Sequence, residues 1–232
     1  MSVQALLLGM LEAVAEALGC DLRSRLVFVG GCTTALHITD PITLADVRAT
    51  DDIDLIVDLA GEASWYQLLE ELRQKGFKES LDDDVICRMR LDGLKVDFMP
   101  DDEKILGFTN RWYAMGIETA ATKTLPSGLS IKCLTPPLFI ATKLEAYLGR
   151  GENDPLGSHD LEDILVVTDG REELVGEVLG ADESLRRYIA EQITLLKNHR
   201  DFDGLVNGNV RGPEGRADIV RERLSAMTAD TG

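Results

Sequence analysis

Residues 27–58 read VFVGGCTTALHITDPITLADVRATDDIDLIVD. The apolar run Leu26-Val27-Phe28-Val29 stops at paired glycines, which predicts a buried strand ending in a tight turn. Gly30 and Gly31 carry no Cβ, so backbone N–H groups there can approach an anion closely. Cys32-Thr33-Thr34-Ala35-Leu36 reads as the start of a helix, whose free N–H groups favour phosphate. After a loop, Asp52-Ile53-Asp54-Leu55-Ile56-Val57 reads as a second strand. Alternation puts Asp52 and Asp54 on one face and turns Ile53, Leu55 and Val57 toward a core. Two strand rises separate the acids by about 7 Å at Cα, a spacing at which carboxylates can share divalent ions. The stretch therefore predicts a phosphate cradle beside a metal platform.

Upstream, Leu6, Leu7, Met10, Leu11, Val14, Ala17 and Leu18 recur at helical spacing, and Gly19 is a natural stop. Downstream, Ser64 and Gln67 have the spacing of a capping box for a helix running to about Lys75. Strands are expected over 77–80 and 85–91. Asp92-Gly93 is a strong hairpin turn, returning through Leu94-Lys95-Val96-Asp97-Phe98-Met99. Leu94, Val96 and Phe98 share one face. Asp97 stands on the other, an acid in a strand that propensity disfavours, which makes it a candidate third metal ligand.

Short strands are expected near 118–122 and 129–134. Thr135-Pro136-Pro137 opens a helix over 138–148, burying Leu138, Ile140, Ala141, Leu144 and Leu148. Residues 149–155 form a loop and boundary. Ser158 caps a helix through Val167, and further helices occupy 171–179, 183–198 and 213–227, with 204–215 a glycine-rich loop. The expected class is α/β (α+β): a mixed sheet flanked by helices over 1–135, then a helical region over 136–232.

The formal charge of −17 works against a broad nucleic-acid footprint but suits Mg²⁺. Cys20, Cys32, Cys87 and Cys133 show no Cys-x-x-Cys spacing and read as reduced, mostly buried thiols. His37, His159 and His199 are too scattered for a zinc site. No apolar run approaches the ~20 residues that span a bilayer, and the N-terminus lacks a basic leader. A soluble, cytoplasmic protein without membrane contact is expected.

Acid-x-acid alone says little here. With 41 acids in 232 positions, chance gives about seven such pairs, the background of any short motif. Asp82/Asp84, Asp101/Glu103, Asp160/Glu162 and Asp201/Asp203 also qualify. Asp52/Asp54 differ by their apolar, alternating strand and the strand–glycine turn upstream. In a phosphoryl displacement, two divalent ions about 3.5–4 Å apart can clamp the attacking and leaving oxygens. Asp52 and Asp54 would bridge both, and Asp97 would complete one and accept a proton. Gly30, Gly31 and Thr33 would hold phosphates. Arg48 and Thr50 either reach a triphosphate oxygen or stabilise the loop. Lys143 is a candidate phosphate contact, the alternative being a snorkelling surface lysine. Asp160 and Asp163, at i, i+3, either face solvent or orient Lys143 or the nucleotide.

Gly30-Gly31, Arg48-Ala49-Thr50-Asp51-Asp52-Ile53-Asp54, Val96-Asp97-Phe98, Lys143-Leu144-Glu145 and His159-Asp160-Leu161-Glu162-Asp163 together resemble the nucleotidyltransferase superfamily, in its AbiEii-type toxin branch. Gly31 stands where many relatives have serine, and His159 where lysine is common. The resemblance implies a nucleotidyltransferase-fold domain using Mg²⁺ or Mn²⁺ to move NMP from an NTP to an acceptor hydroxyl. It further implies RNA or tRNA, or protein, as acceptor and an antitoxin as partner. Two rivals stand beside it: a small-molecule (aminoglycoside-type) nucleotidyltransferase, and a nucleotide-binding module with little turnover. A basic strip built from Arg186, Arg187, Lys197 and Arg200 would point to RNA; an acidic cleft would point to a cationic small molecule.

Overall fold

A computed structural model of the chain describes residues 2–83, 85–150 and 154–229. Asp84, half of the Asp82/Asp84 pair, and residues 151–153 of the expected boundary loop lie outside the described residues. In chain order the elements begin α1 (Val3–Arg25), β1 (Leu26–Val29), α2 (Thr34–His37), β2 (Asp52–Val57), α3 (Glu62–Gln74), β3 (Arg88–Leu91) and β4 (Leu94–Pro100). They continue α4 (Glu103–Leu106), α5 (Tyr113–Glu118), β5 (Ala121–Thr124), β6 (Ser130–Cys133), α6 (Pro136–Gly149) and α7 (His159–Gly170). The chain finishes with α8 (Leu174–Leu179), α9 (Glu183–Lys197), α10 (Phe202–Asn209) and α11 (Arg216–Met227). The fold is thus a six-stranded mixed sheet with helices, followed by a helical C-terminal region. It divides into two units, Met1–Thr33 with Ala49–Thr135, and Thr34–Arg48 with Pro136–Gly232.

The first unit holds the sheet, in the order β3-β4-β2-β1-β6-β5. Its centre is mixed: β2 runs antiparallel to β1 and parallel to β4, while β1 runs parallel to β6. Asp92 (φ 49°) and Gly93 (φ 91°) make the hairpin turn expected between β3 and β4, two positive-φ residues that match strand twist. Ile53, Leu55, Met89, Val96 and Phe98 are all buried on the apolar face, each contributing about 1.5–3 kcal/mol. The Phe77 ring meets Phe98 edge-on at 5.5 Å.

By length and composition α1 is long and apolar enough to cross a membrane, although Gln4, Glu12 and Glu16 interrupt its apolar residues, so no continuous apolar run reaches that length. Here Leu7, Leu11, Val14, Ala15, Leu18 and Leu22 line one buried stripe, and α1 packs on β1, β2 and β6. Gly19 (φ 69°, ψ 178°) breaks the helical path, and a second helical stretch continues to Arg25.

Three local expectations are corrected in this unit. Helix α3 begins at Glu62 behind Gly61, so Ser64 lies inside it and caps nothing. Residues 77–80 form only an isolated bridge, Lys78 to Arg90. The strand expected from 85 starts at Arg88.

In the second unit, α6 and α7 are buried nearly all round: Leu138 through Leu144 and Leu161, Ile164, Leu165 and Val167 are inside. That accounts for Lys143 being buried rather than turned to solvent. Leu148, expected inside, is 49% exposed. Helix α10 reaches into the expected glycine-rich loop, and Phe202, Leu205 and Val206 bury one face of it. Residues 34–48 join this unit through side chains. The His37 ring lies 4.5 Å from that of Phe139. Arg171 donates to the His37 carbonyl at 3.1 Å. Arg216 grips Asp169 (2.7 and 2.8 Å), Asp40 and Thr43.

Candidate metal centre

Register assembles the acids in the first unit. Asp54 on β2 lies directly opposite Asp97 on β4, with Asp52 one pleat away on the same face. One oxygen from each of the three carboxylates lies within 4.8 Å of the others, a separation set by the spacing of neighbouring strands. Three oxygen ligands so close repel one another unless a cation lies among them, and hard divalent ions such as Mg²⁺ or Mn²⁺ match this donor set.

Gly30 makes room for the group. Its φ is +74°, and a Cβ built there would sit 1.9 Å from Oδ2 of Asp54. The Asp54 carboxylate therefore lies against the bare backbone of the turn, and only glycine accepts both the conformation and the contact. Thr50 donates its hydroxyl to Asp52, orienting that carboxylate from the preceding loop.

The chain after Gly30 is tighter than a helix start. Residues Gly31–Thr33 form a buried 3₁₀ turn. The Thr33 hydroxyl donates to the Gly30 carbonyl at 2.9 Å. Helix α2 beyond it is a single turn, so the dipole expected at its N-terminus is small. Two thiols flank the acids. Burial, reinforced by Asp54, pushes the Cys32 thiol up; burial, with Asp97, pushes Cys87 up to about 12. Both stay protonated at neutral pH, leaving the carboxylates as the anionic donors of the group.

Arg88 on β3 was not among the expected site residues. It faces Asp97 across the hairpin and forks onto it, Nε to Oδ1 and Nη2 to Oδ2, each at 2.7 Å. Its Nη2 also lies 3.9 Å from Asp52. The hydrogen bonds to Asp97 raise the guanidinium pKa above its ordinary value. Its signal was present in the sequence: a two-residue turn at 92–93 pairs Leu91 with Leu94 and hence Arg88 with Asp97.

The remaining expected residues meet in the second unit. Arg48 forks onto Asp163 through Nε and Nη2, both at 3.1 Å. Lys143 Nζ reaches Asp160 at 3.0 Å and Asp163 at 2.7 Å, and Arg150 lies 3.2 Å from Asp160. Burial alone would lower the Lys143 pKa, but the two carboxylates outweigh it and hold the group above its ordinary value. The sequence offered Asp160 and Asp163 as a pair that could orient Lys143, and the structure brings these three together and adds Arg48.

The chain matches no family model and no curated protein sequence.

Proposed function

We propose that the chain is a divalent-metal-dependent nucleotidyltransferase of the AbiEii-type kind, moving NMP from an NTP to an acceptor hydroxyl. The observation that carries this reading is the convergence of Asp52, Asp54 and Asp97 within 4.8 Å, beside a glycine corner. Divalent ions held there would supply charge neutralisation at the transferring phosphate and a lowered pKa for the acceptor hydroxyl. Asp52 and Asp54 would hold the ions from one strand. Asp97 would hold one of them from the neighbouring strand and stand ready for the acceptor proton. Gly30 keeps the backbone close to the Asp54 carboxylate, and Thr50 fixes the Asp52 carboxylate.

For the acceptor, RNA or protein follows from the resemblance, with an antitoxin as partner and the cytoplasm as place of action. A cationic small molecule is the second reading, and a particular observation favours it. Arg186 and Arg187 line a groove of about 720 Å³ together with Glu183 and Glu191. Lys197 donates to Ser225 and Arg200 to Asp201. Acids and partners thus interrupt the basic strip that RNA would use.

Incubating the protein with labelled NTPs, Mg²⁺ and total RNA, protein or aminoglycoside acceptors tests the proposal. Label transfer in the wild type that disappears in both Asp52→Ala and Asp54→Ala supports it. Absence of transfer to every acceptor class favours a binding module instead.

A further inference from the structure

The candidate metal centre already contains one cation, the guanidinium of Arg88. It occupies both oxygens of Asp97 at 2.7 Å and lies 3.9 Å from Asp52, so it touches two of the three carboxylates that would bind an ion. Its side chain is 15% exposed and that of Asp97 is 10% exposed, so little water screens the pair. Both lone-pair directions of Asp97 that would face a divalent ion therefore have a strong competitor.

We infer that Arg88 is a built-in rival for the metal seat, a positioning residue that holds Asp97 when no ion is bound and must yield it for one to enter. The inference rests on the metal-centre reading. Three features of the chain make Arg88 suited to this role. The hairpin fixes it opposite Asp97, its two strands joined only by the two-residue turn at Asp92-Gly93. A planar fork matches a carboxylate in a way an ammonium does not. The three acids also outnumber it, so its departure is favoured once a divalent charge arrives. Other cations on this face have partners of their own: Arg90 pairs with Asp83 at 2.6 Å and Lys95 with Asp51 at 2.5 Å.

The inference makes an unusual demand, because removing a residue from the site must strengthen ligand binding. Mn²⁺ affinity of the full, metal-stripped chain is measured by titration calorimetry for the wild type, Arg88→Gln, Arg88→Lys and Asp52→Asn. Arg88→Gln is expected to bind Mn²⁺ on the order of tenfold more tightly than the wild type, the loss of one charge-assisted fork. Arg88→Lys, which keeps the charge but cannot fork, is expected to fall between them. It remains informative if the glutamine variant does not fold. A merely structural Arg88 would give weaker or unchanged binding in both variants, and that result overturns the inference. If wild type and Asp52→Asn bind Mn²⁺ equally, the metal-centre reading itself fails and takes the inference with it. If Asp52→Asn loses binding while neither Arg88 variant gains, the metal centre stands and only the rivalry falls.

Discussion

Two groups of charged side chains in this protein differ in how their charges are matched. On the sheet of the first unit, Asp52, Asp54 and Asp97 face a single arginine. In the helical unit, Asp160 and Asp163 meet Lys143 and Arg48, with Arg150 at the rim. In the helical group every acid has a cation to meet it, and Lys143, Asp160 and Asp163 are deeply buried. A charge pair in that setting is costly to desolvate but worse to break, because the survivor is left unpaired. The acidic group on the sheet carries an excess of negative charge and remains partly open to solvent. Excess charge of one sign at short range is an unfinished interaction that a cation completes. A group's charge balance, rather than its count of charges, separates the part that holds the fold from the part that can bind.

The sharpest way to break this contrast is Lys143→Met. Asp160 and Asp163, whose side chains are 4% and 2% exposed, would lose their buried partner, at a cost of about 3–5 kcal/mol in urea unfolding. The pH dependence has a definite sign. The folded Lys143 pKa lies above its ordinary 10.5, so its contribution is fully present below that value and is lost as pH rises through the higher folded pKa. The gap between wild type and Lys143→Met should therefore stay constant from pH 7 to 9 and close only in strongly alkaline solution.

Gly30→Ala comes next. The left-handed conformation and the clash with Asp54 should cost about 1–3 kcal/mol and weaken Mn²⁺ binding together, a pairing that calorimetry and urea unfolding read separately. Asp52→Asn should change stability by no more than about 0.5 kcal/mol, since the amide oxygen still accepts from Thr50. It should nevertheless abolish the rise in Tm that Mn²⁺ gives the wild type. A large loss of stability in that variant would erase the distinction between the two groups. The smallest effect is chemical. At pH 8, a maleimide reagent should modify Cys20, which is exposed, and spare buried Cys32, Cys87 and Cys133, as mass spectrometry of the folded protein would show.

Much of the sheet unit was legible because strands announce themselves by alternation. Ile53 and Leu55 opposite Asp52 and Asp54, or Val96 and Phe98 opposite Asp97, fix a face without knowledge of the partner strand. The hairpin turn at 92–93 then fixes register. Less was legible where local signals compete with packing. Ser64 had the right neighbour for a cap, but the chain enters α3 two residues earlier. The glycines of 204–215 suggested a loop, while Phe202, Leu205 and Val206 bury enough surface to wind α10. Lys143 stood open between a phosphate contact and a surface lysine, and Asp160 and Asp163 between a solvated face and a hold on Lys143. The three meet across two helices, and local pattern alone does not choose between those alternatives.

The ties that Arg216 makes to Asp40, Thr43 and Asp169 carry a consequence for how the polypeptide is threaded. The chain leaves the sheet unit after Thr33, returns at Ala49, and leaves again after Thr135. The strands that carry the three acids are thus completed only after residues 34–48 have been committed elsewhere. A fragment cut at residue 135 would keep every acid of the centre but strand that excursion without its anchor. A cut between the units along the chain therefore cannot divide them cleanly.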